Sequence, residues 1–398
     1  MPHIQFKKNN LIKTPSTEDG VFFEFCAKSY NFTDKPRHTE YKISVKSEGK
    51  DFLLTLREKD DSLLIKADKV TRVTPVDIVK KALNAYAKVT EAEIEFTNTN
   101  SFKQKSEPKK EYIKDIEYFV NDFNPEQEVQ IEVGFGSGRH IIHQALKNPD
   151  VLFIGLEIHT PSIEQLLKQI KLQNIKNILA INYDARLFME FISSNSVGKI
   201  FVHFPVPWDK KPHRRVYSNE FINEALRVLK IGGSLELRTD SRKYFDYCTS
   251  LLTNLNKGKI IIDINKDLEI SSKYEDRWKK QGKNIYDVVL MCDQDDEIKV
   301  INSNFKFEND VDFGKIKASI ETKPIVEKDY FLHIEEIFIN PDSIILLRLT
   351  FGSFNRPVSK YILIKENKIS YYQGNPIPTS ANLKAHNRLK KILSNDNS

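Results

Sequence analysis

The segment VQIEVGFGSG, residues 129–138, is the most informative part of this chain for its fold. Val129 to Val133 is an apolar run that predicts a buried strand, and it leads into the glycine turn Gly134-Phe135-Gly136-Ser137-Gly138. A helical pattern follows from Arg139 to about Lys147 and stops at Asn148-Pro149. Glycines let the backbone pass close to a ligand, and the start of a helix presents N–H groups without intrahelical partners. The stretch therefore predicts a strand, a ligand-binding turn and a helix.

The same pattern repeats on the C-terminal side of this stretch. Further strands are predicted at Val151–Glu157, Ile178–Ile181, Lys199–Phe204 and Ser234–Thr239, with helical segments between them. This alternation predicts an α/β domain with a doubly wound, Rossmann-like sheet of parallel strands and crossover helices. We place the domain at residues 116–296, where an acidic cluster closes it.

The flanks of this domain have different patterns. Residues 1–102 predict an α+β region, with alternating strands in EYKISV and DFLLTLRE and helical spacing from Val76 to Val89. The charged residues 103–115 have the composition of a linker. Residues 297–398 predict a strand-rich region that ends in a basic tail helix from Asn382 to Leu393. The sequence alone leaves the role of both flanks and the oligomeric state open.

Acidic residues stand at the ends of three successive predicted strands. Glu132 precedes the first glycine by two residues, Glu157 closes the second strand, and Asp184 follows the third. A dinucleotide fingerprint has its third glycine one residue later, and Glu132 would repel a pyrophosphate. The carboxylate of Glu132 suits a ligand that carries an ammonium and a sulfonium group. Glu157 is placed to accept from ribose hydroxyls, and Asp184 is placed to accept from an adenine amino group. A nucleoside-plus-amino-acid site is favoured over a bare glycine turn beside solvated acids.

Composition excludes several other classes of protein. No run of about eighteen uncharged apolar residues occurs, so no membrane span is predicted, and the N-terminus lacks the apolar core of a signal peptide. Three scattered cysteines predict neither disulfides nor a metal site, and His140 and His143 are interpreted as helix-surface residues. The net charge of +6 permits an anionic partner, and a cytoplasmic location is expected.

The fourth strand leads into the segment FPVPWDKKPHRR, Phe204 to Arg215, which we name the basic arm. Trp208 offers a flat face for stacking on a base or covering a cationic methyl group. The cations of the arm suit contacts with nucleic-acid phosphates, and the alternative is a solvated basic loop. These cations are Lys210, Lys211, Arg214 and Arg215.

The sequence resembles the bacterial tRNA (guanine(46)-N7)-methyltransferases over roughly Glu111 to Cys292. The resemblance rests on IEVGFGSG, GLEIH, NYDA, the basic arm, LRTDSRKYF and SKYEDRWKKQGKNIYD, which occur here in this order. It implies a class I methyltransferase fold, S-adenosyl-L-methionine as the methyl donor and tRNA as the partner, with no metal. The chain is then a long form of the family, with extra N- and C-terminal regions.

The resemblance also implies roles for particular residues. The residues implied to bind the cofactor are Glu132, Gly134, Gly136, Gly138, Glu157, Asp184 and Val206. The residues implied to bind the target nucleotide are Lys210, Lys211, Arg214, Arg215, Asp240, Ser272, Tyr274 and Glu275. The residues expected to take part in catalysis are Asp240, Glu275 and Trp208.

One position departs from the family pattern. The family usually has F-P-D-P-W, with the aspartate assigned to the active site, whereas this chain has Val206. N7 of guanine carries a lone pair, so no proton has to be removed before it attacks a methyl group. Activity is therefore expected in spite of the valine, with Asp240, Glu275 and Asp209 as candidates to compensate.

Three alternatives stay open at this point. The first is a methyltransferase with another target, which shares the cofactor residues and differs in the basic arm. The second is a tRNA-binding protein that keeps the fold and has lost or weakened catalysis, with Val206 as its symptom. The third is a nicotinamide dehydrogenase, which the glycine spacing disfavours.

Overall fold

The structure is a computed structural model with two compact units, Met1–Gln104 together with Ser303–Ser398, and Lys105–Asn302. It describes residues 2–7, 11–30, 39–59, 61–73, 75–99, 111–267, 269–270, 275, 281–299, 304–307, 323–366 and 368–394. Within these described residues, every helix is too short or too polar to span a lipid bilayer.

The N-terminal part of the first unit is mainly strands. Its elements are β1 (His3–Lys7), β2 (Ser16–Glu18), β3 (Val21–Tyr30), β4 (Glu40–Ser47), β5 (Lys50–Lys59), β6 (Ser62–Ala67), α1 (Val76–Val89) and β7 (Ile94–Thr97). Helix α1 matches its predicted bounds and buries Ile78, Leu83 and Tyr86 in the core of this part.

The second unit alternates strands and helices. Its elements are β8 (Ile113–Lys114), α2 (Ile116–Asn121), β9 (Glu128–Val133), α3 (Arg139–Lys147), β10 (Val151–Leu156), α4 (Thr160–Leu172), β11 (Ile178–Ile181), α5 (Ala185–Phe188), β12 (Val197–His203), α6 (Asn219–Val228), β13 (Leu229–Thr239), α7 (Arg242–Thr253), β14 (Lys259–Ile264) and β15 (Tyr286–Met291).

The eight described strands of the second unit form one sheet in the order β14-β15-β13-β12-β9-β10-β11-β8. The pairs from β13 to β8 are all parallel, and β15 runs antiparallel to both β13 and β14. The predicted α/β sheet with crossover helices is therefore confirmed. Because neighbouring strands are parallel, the loops after β9, β10, β11 and β12 meet at one edge of the sheet.

The C-terminal part of the chain returns to the first unit. Its elements are β16 (Ile325–Val326), β17 (Phe331–Ile339), β18 (Ile345–Gly352), β19 (Pro357–Lys365), β20 (Lys368–Tyr371) and α8 (Ser380–Ser394). The predicted strands and tail helix are confirmed. Helix α8 buries Ala385, Leu389 and Leu393 in a core with residues of β17 and β18, so its basic residues lie on the outer side.

Pairing between β3 and β17 joins the two flanks in a single twelve-stranded sheet. A buried polar cluster adds to this connection: the Lys42 ammonium on β4 donates to Asp68 at 2.9 Å, and the Tyr361 hydroxyl on β19 donates to the same carboxylate at 2.9 Å. The local sequence patterns predict two separate flanking regions, because strand pairing across some three hundred residues leaves no local pattern in the sequence.

Candidate active site

The glycine turn after β9 has the open conformation that a bound ligand requires. Gly134, Gly136 and Gly138 have φ values of 70°, 52° and 76°, a region that side chains disfavour. A Cβ atom on Gly134 would meet no protein atom within 4 Å, so the turn faces open space there. A Cβ atom on Gly138 would approach Leu166 Cδ1 to 2.9 Å. The first glycine keeps room for a ligand, and the third lets α3 pack against α4.

Glu157 lies directly after β10 and holds the glycine turn. Its Oε2 accepts a hydrogen bond from the Gly136 N–H at 3.0 Å, and its Oε1 accepts from Ile158 and His159 at 2.8 and 3.0 Å. The carboxylate is partly exposed and each oxygen keeps lone-pair capacity for a ligand hydroxyl. The position at the strand end agrees with the one predicted from the sequence.

Glu132 is buried within β9, and His140 covers it. The Glu132 Oε2 and the His140 Nδ1 atom lie 2.9 Å apart, and the His140 ring packs 4.5 Å from the ring of His203. The interpretation of His140 as a helix-surface residue is therefore wrong, because the first turn of α3 lies above the end of β9. Burial, followed by the nearby His140 and Arg238, holds the pKa of His203 well below its ordinary value.

Asp184 follows β11 and caps the short helix α5. Its carboxylate accepts from the Arg186 N–H at 3.0 Å and forms an ion pair with the Arg186 guanidinium at 2.6 Å. Arg186 also reaches the carbonyl oxygen of His213 in the basic arm at 3.4 Å. The acid at the third strand end is thus tied to the segment that follows the fourth strand.

These residues fit S-adenosylmethionine chemically. Partly exposed Glu157 and Asp184 lie at the edge of the sheet where β9, β10 and β11 end, beside a turn that leaves space above Gly134. Acceptors at successive strand ends match hydroxyl and amino donors of a nucleoside, and the buried Glu132 adds negative charge for a cationic ligand.

The basic arm follows β12 at the same edge. Trp208 is exposed, and the Arg214 guanidinium lies 5.1 Å from its ring centroid. Lys210 and Lys211 are exposed on the arm, as phosphate contacts require. Val206 is 60% exposed, so it lies on the surface of the arm and not in the core.

Arg215 differs from the other cations of the arm because it points inward. Its side chain is 10% exposed, its Nε donates to the Pro207 carbonyl oxygen at 2.8 Å, and its guanidinium lies 4.3 Å from the Tyr247 ring centroid. It therefore closes the arm into a loop and fastens it to α7. The sequence groups it with three outward-facing cations.

We expect Arg215→Gln to weaken binding of the nucleic acid that the basic arm is expected to contact, without changing the dependence of that binding on salt. The variant loses the contacts of Arg215 with Pro207 and Tyr247, so the basic arm loses its shape. No contact with a phosphate is removed. Lys211→Gln removes an exposed cation, so it should lower the slope of log affinity against log salt by about 0.7 to 0.9. Titrations of both variants at several salt concentrations check this. A lowered slope for Arg215→Gln would mean that its side chain contacts phosphate.

The remaining predicted substrate residues lie in different environments. Asp240 follows β13 and pairs with Lys283 at 3.0 Å, with its side chain partly exposed. Glu275 is buried: its Oε1 and Oε2 accept from the Arg238 guanidinium at 2.7 and 3.2 Å. Ser272 and Tyr274 lie outside the described residues. Glu275 thus contacts a buried arginine, whereas Asp240 is partly exposed at the end of β13.

The strand order, the glycine turn and the acidic strand ends together define the class I, S-adenosylmethionine-dependent methyltransferase fold. Residues 126–288 match a protein family described as "Putative methyltransferase". Among solved structures, the chain is similar to an antibiotic-related methyltransferase at 16% identity, covering 44% of this chain and 91% of that one with a TM-score of 0.34. It is also similar to a 30S ribosomal A1408 methyltransferase from an uncultured bacterium, at 17% identity over 48% and 97% of the chains with a TM-score of 0.32.

Similarity to curated proteins extends over the whole chain. A tRNA (guanine-N(7)-)-methyltransferase of Wolinella succinogenes is 42% identical over 99% of this chain and 100% of its own length. Proteins of the same name from Campylobacter fetus subsp. fetus and Helicobacter hepaticus are 38% and 37% identical, covering 99% and 100% of this chain and 99% and 100% of their own lengths. This chain belongs to the tRNA (guanine-N(7)-)-methyltransferase family, and its two flanks are shared with these relatives.

Proposed function

We propose that this protein transfers the methyl group of S-adenosylmethionine to N7 of a guanine in tRNA, with guanosine 46 of the variable loop as the target, in the cytoplasm. The observation that carries the proposal is the placement of the basic arm and Trp208 directly after β12, at the sheet edge that holds Glu157, Asp184 and the glycine turn. Family membership supports the same reaction and the same substrate.

The residues of the chain divide the work by position. Glu157 and Asp184 hold the nucleoside part of the cofactor, and the negative charge of Glu132 favours its cationic part. Lys210, Lys211 and Arg214 bind phosphates. Trp208 and Asp240 hold the guanine, which a variable loop presents only after the base leaves its tertiary contacts, at a cost of a few kcal/mol.

The reaction requires correct placement of guanine N7 relative to the methyl group, and it requires no removal of a proton. When bound, S-adenosylmethionine supplies an electrophilic methyl group, and N7 attacks it with a lone pair that is already free. The product is a cationic base, so no proton has to leave. Alignment of the reacting atoms and acceptance of positive charge by carboxylates and aromatic faces are then sufficient. Valine at position 206, where the family usually has aspartate, therefore does not deprive the reaction of a base that it needs.

Methyl transfer from radiolabelled S-adenosylmethionine to tRNA transcripts tests the proposal. We expect label in a transcript with guanosine at position 46 and none when adenosine replaces it. Nucleoside analysis should identify the product as 7-methylguanosine. Label that persists after the replacement would assign the activity to another target.

The comparison with Val206→Asp tests the alternative of an RNA-binding protein without catalysis. We expect the wild-type enzyme and the variant to have kcat values within about tenfold, because general-base assistance is not required. An inactive wild-type protein that gains activity with aspartate would show that the valine marks a lost active site.

A further inference from the structure

Strand β14 forms one outer edge of the eight-stranded sheet and carries exposed isoleucines. In the described part of the chain, its strand partner is β15 alone, so its other side is an open edge. Ile262 and Ile264 are 44% and 57% exposed. An edge strand with open backbone groups and apolar side chains is a template for pairing with another strand.

The sequence of β14 is complementary to itself in the antiparallel direction. Residues 259–263 read KIIID. When two copies pair around a two-fold axis at Ile261, Lys259 of each copy faces the partner's Asp263, and Ile260 faces the partner's Ile262. Opposite charges and apolar pairs at directly opposed positions both stabilise an antiparallel pair.

Neighbouring registers lose this match. A shift that centres the axis on Ile262 places Ile261 opposite Asp263, and a shift to Asp263 places two carboxylates opposite each other. Like charges directly opposed are destabilising. Of these three registers, the one centred on Ile261 pairs opposite charges directly, and this self-complementarity favours a second copy of this chain as the partner.

The two charged residues are available for this pairing. Lys259 is exposed, and Asp263 forms an ion pair with Lys266 at 3.3 Å in which both side chains are about half exposed. Such solvent-exposed pairs contribute little and exchange easily. Ile262 and Ile264 lie on the opposite face of the strand from Lys259 and Asp263, because side chains alternate along a strand.

We propose that β14 is a homodimer interface, where two copies of the chain join their eight-stranded sheets through this edge. A two-fold interface must be self-complementary, and KIIID has that property. The dimer does not depend on the methyl-transfer activity, so this proposal can be tested independently of the proposed function.

Charge reversal tests the interface on the full-length protein by sedimentation equilibrium. We expect the wild-type protein to dimerise in the micromolar range. Lys259→Asp and Asp263→Lys each turn two attractive pairs into two repulsive ones, so each should raise the dimer dissociation constant at least about tenfold. The double variant restores opposite charges, so its dissociation constant should return to within about threefold of the wild type.

Lys171→Asp is the matched control, since it reverses an exposed charge on α4, away from the β14 edge. It should leave the dissociation constant unchanged. Ile262→Lys should weaken the dimer in any register, and circular dichroism confirms that each variant is folded. A wild-type protein that stays monomeric at high micromolar concentration would overturn the proposal, and so would a double variant as weak as the single ones.

Discussion

Glu157→Ala is expected to raise the dissociation constant of S-adenosylmethionine about 100-fold or more. The carboxylate is partly exposed at the end of β10, and in the proposed binding mode it accepts hydrogen bonds from two ribose hydroxyls. Two hydrogen bonds to a charged group contribute about 1.5 to 3 kcal/mol each, and about 3 kcal/mol corresponds to two orders of magnitude in affinity. The alanine also frees the Gly136 N–H, which Glu157 holds in the present structure.

Isothermal titration of the cofactor into the full-length protein measures this effect. Glu164→Ala on α4 is the control. Glu164 is an exposed acid seven residues from Glu157, and its replacement by alanine removes the same charge. Its dissociation constant should match the wild type. A Glu157→Ala variant within about threefold of wild-type affinity would place the ribose elsewhere.

Much of the catalytic domain follows from local patterns in the sequence. Apolar runs, glycine turns and helix caps repeat at short range, so the strands from β9 to β13 and the acids at their ends could be predicted. The parallel order of the strands then brings Glu157 and Asp184 to one edge without further information. These features depend on residues that are close together in the chain.

Partners from distant parts of the chain could not be predicted in the same way. Nothing in the run of cations from Lys210 to Arg215 says that Arg215 alone turns inward, although the apolar Val216 and Tyr217 that follow show where the chain returns to the core. The pairing of Arg186 with Asp184 is local, but its reach to His213 is not. Such contacts depend on how loops fold over the sheet.

Glu275 shows the same limit at a buried position. The sequence motif groups it with substrate-binding residues, whereas the structure gives both of its oxygens to Arg238 on β13. Arg238 is also held by Asp287 on β15, at 2.6 and 2.7 Å. A motif reports that a residue type is required, and only the fold distinguishes contact with a substrate from contact with another side chain.

Arg238→Met is expected to lower the free energy of unfolding of the catalytic domain by about 3 to 5 kcal/mol. Arg238 is 1% exposed and neutralises two carboxylates that are themselves buried. Methionine fills a similar volume, but it removes the positive charge that Arg238 provides to Glu275 and Asp287. Removing one partner of a buried ion pair has this cost because the remaining charge stays out of water.

Tryptophan fluorescence during urea unfolding measures this effect for one unit, since Trp208 and Trp278 both belong to Lys105–Asn302. Arg242→Met is a matched control four residues further along. It breaks an exposed ion pair with Asp246 and should cost less than about 1 kcal/mol. Equal losses of unfolding free energy for the two variants would show that Arg238, Glu275 and Asp287 do not form a buried ion network in solution.

Neutralising the cluster separates charge from packing. Arg238→Met combined with Glu275→Gln and Asp287→Asn leaves no uncompensated charge, so at least half of the lost stability should return. The same triple variant has lost the link between β13 and Glu275, so its KM for tRNA should stay raised even where its stability recovers. Stability and substrate binding then separate, as expected if the link between Arg238 and Glu275 supports substrate binding as well as the fold.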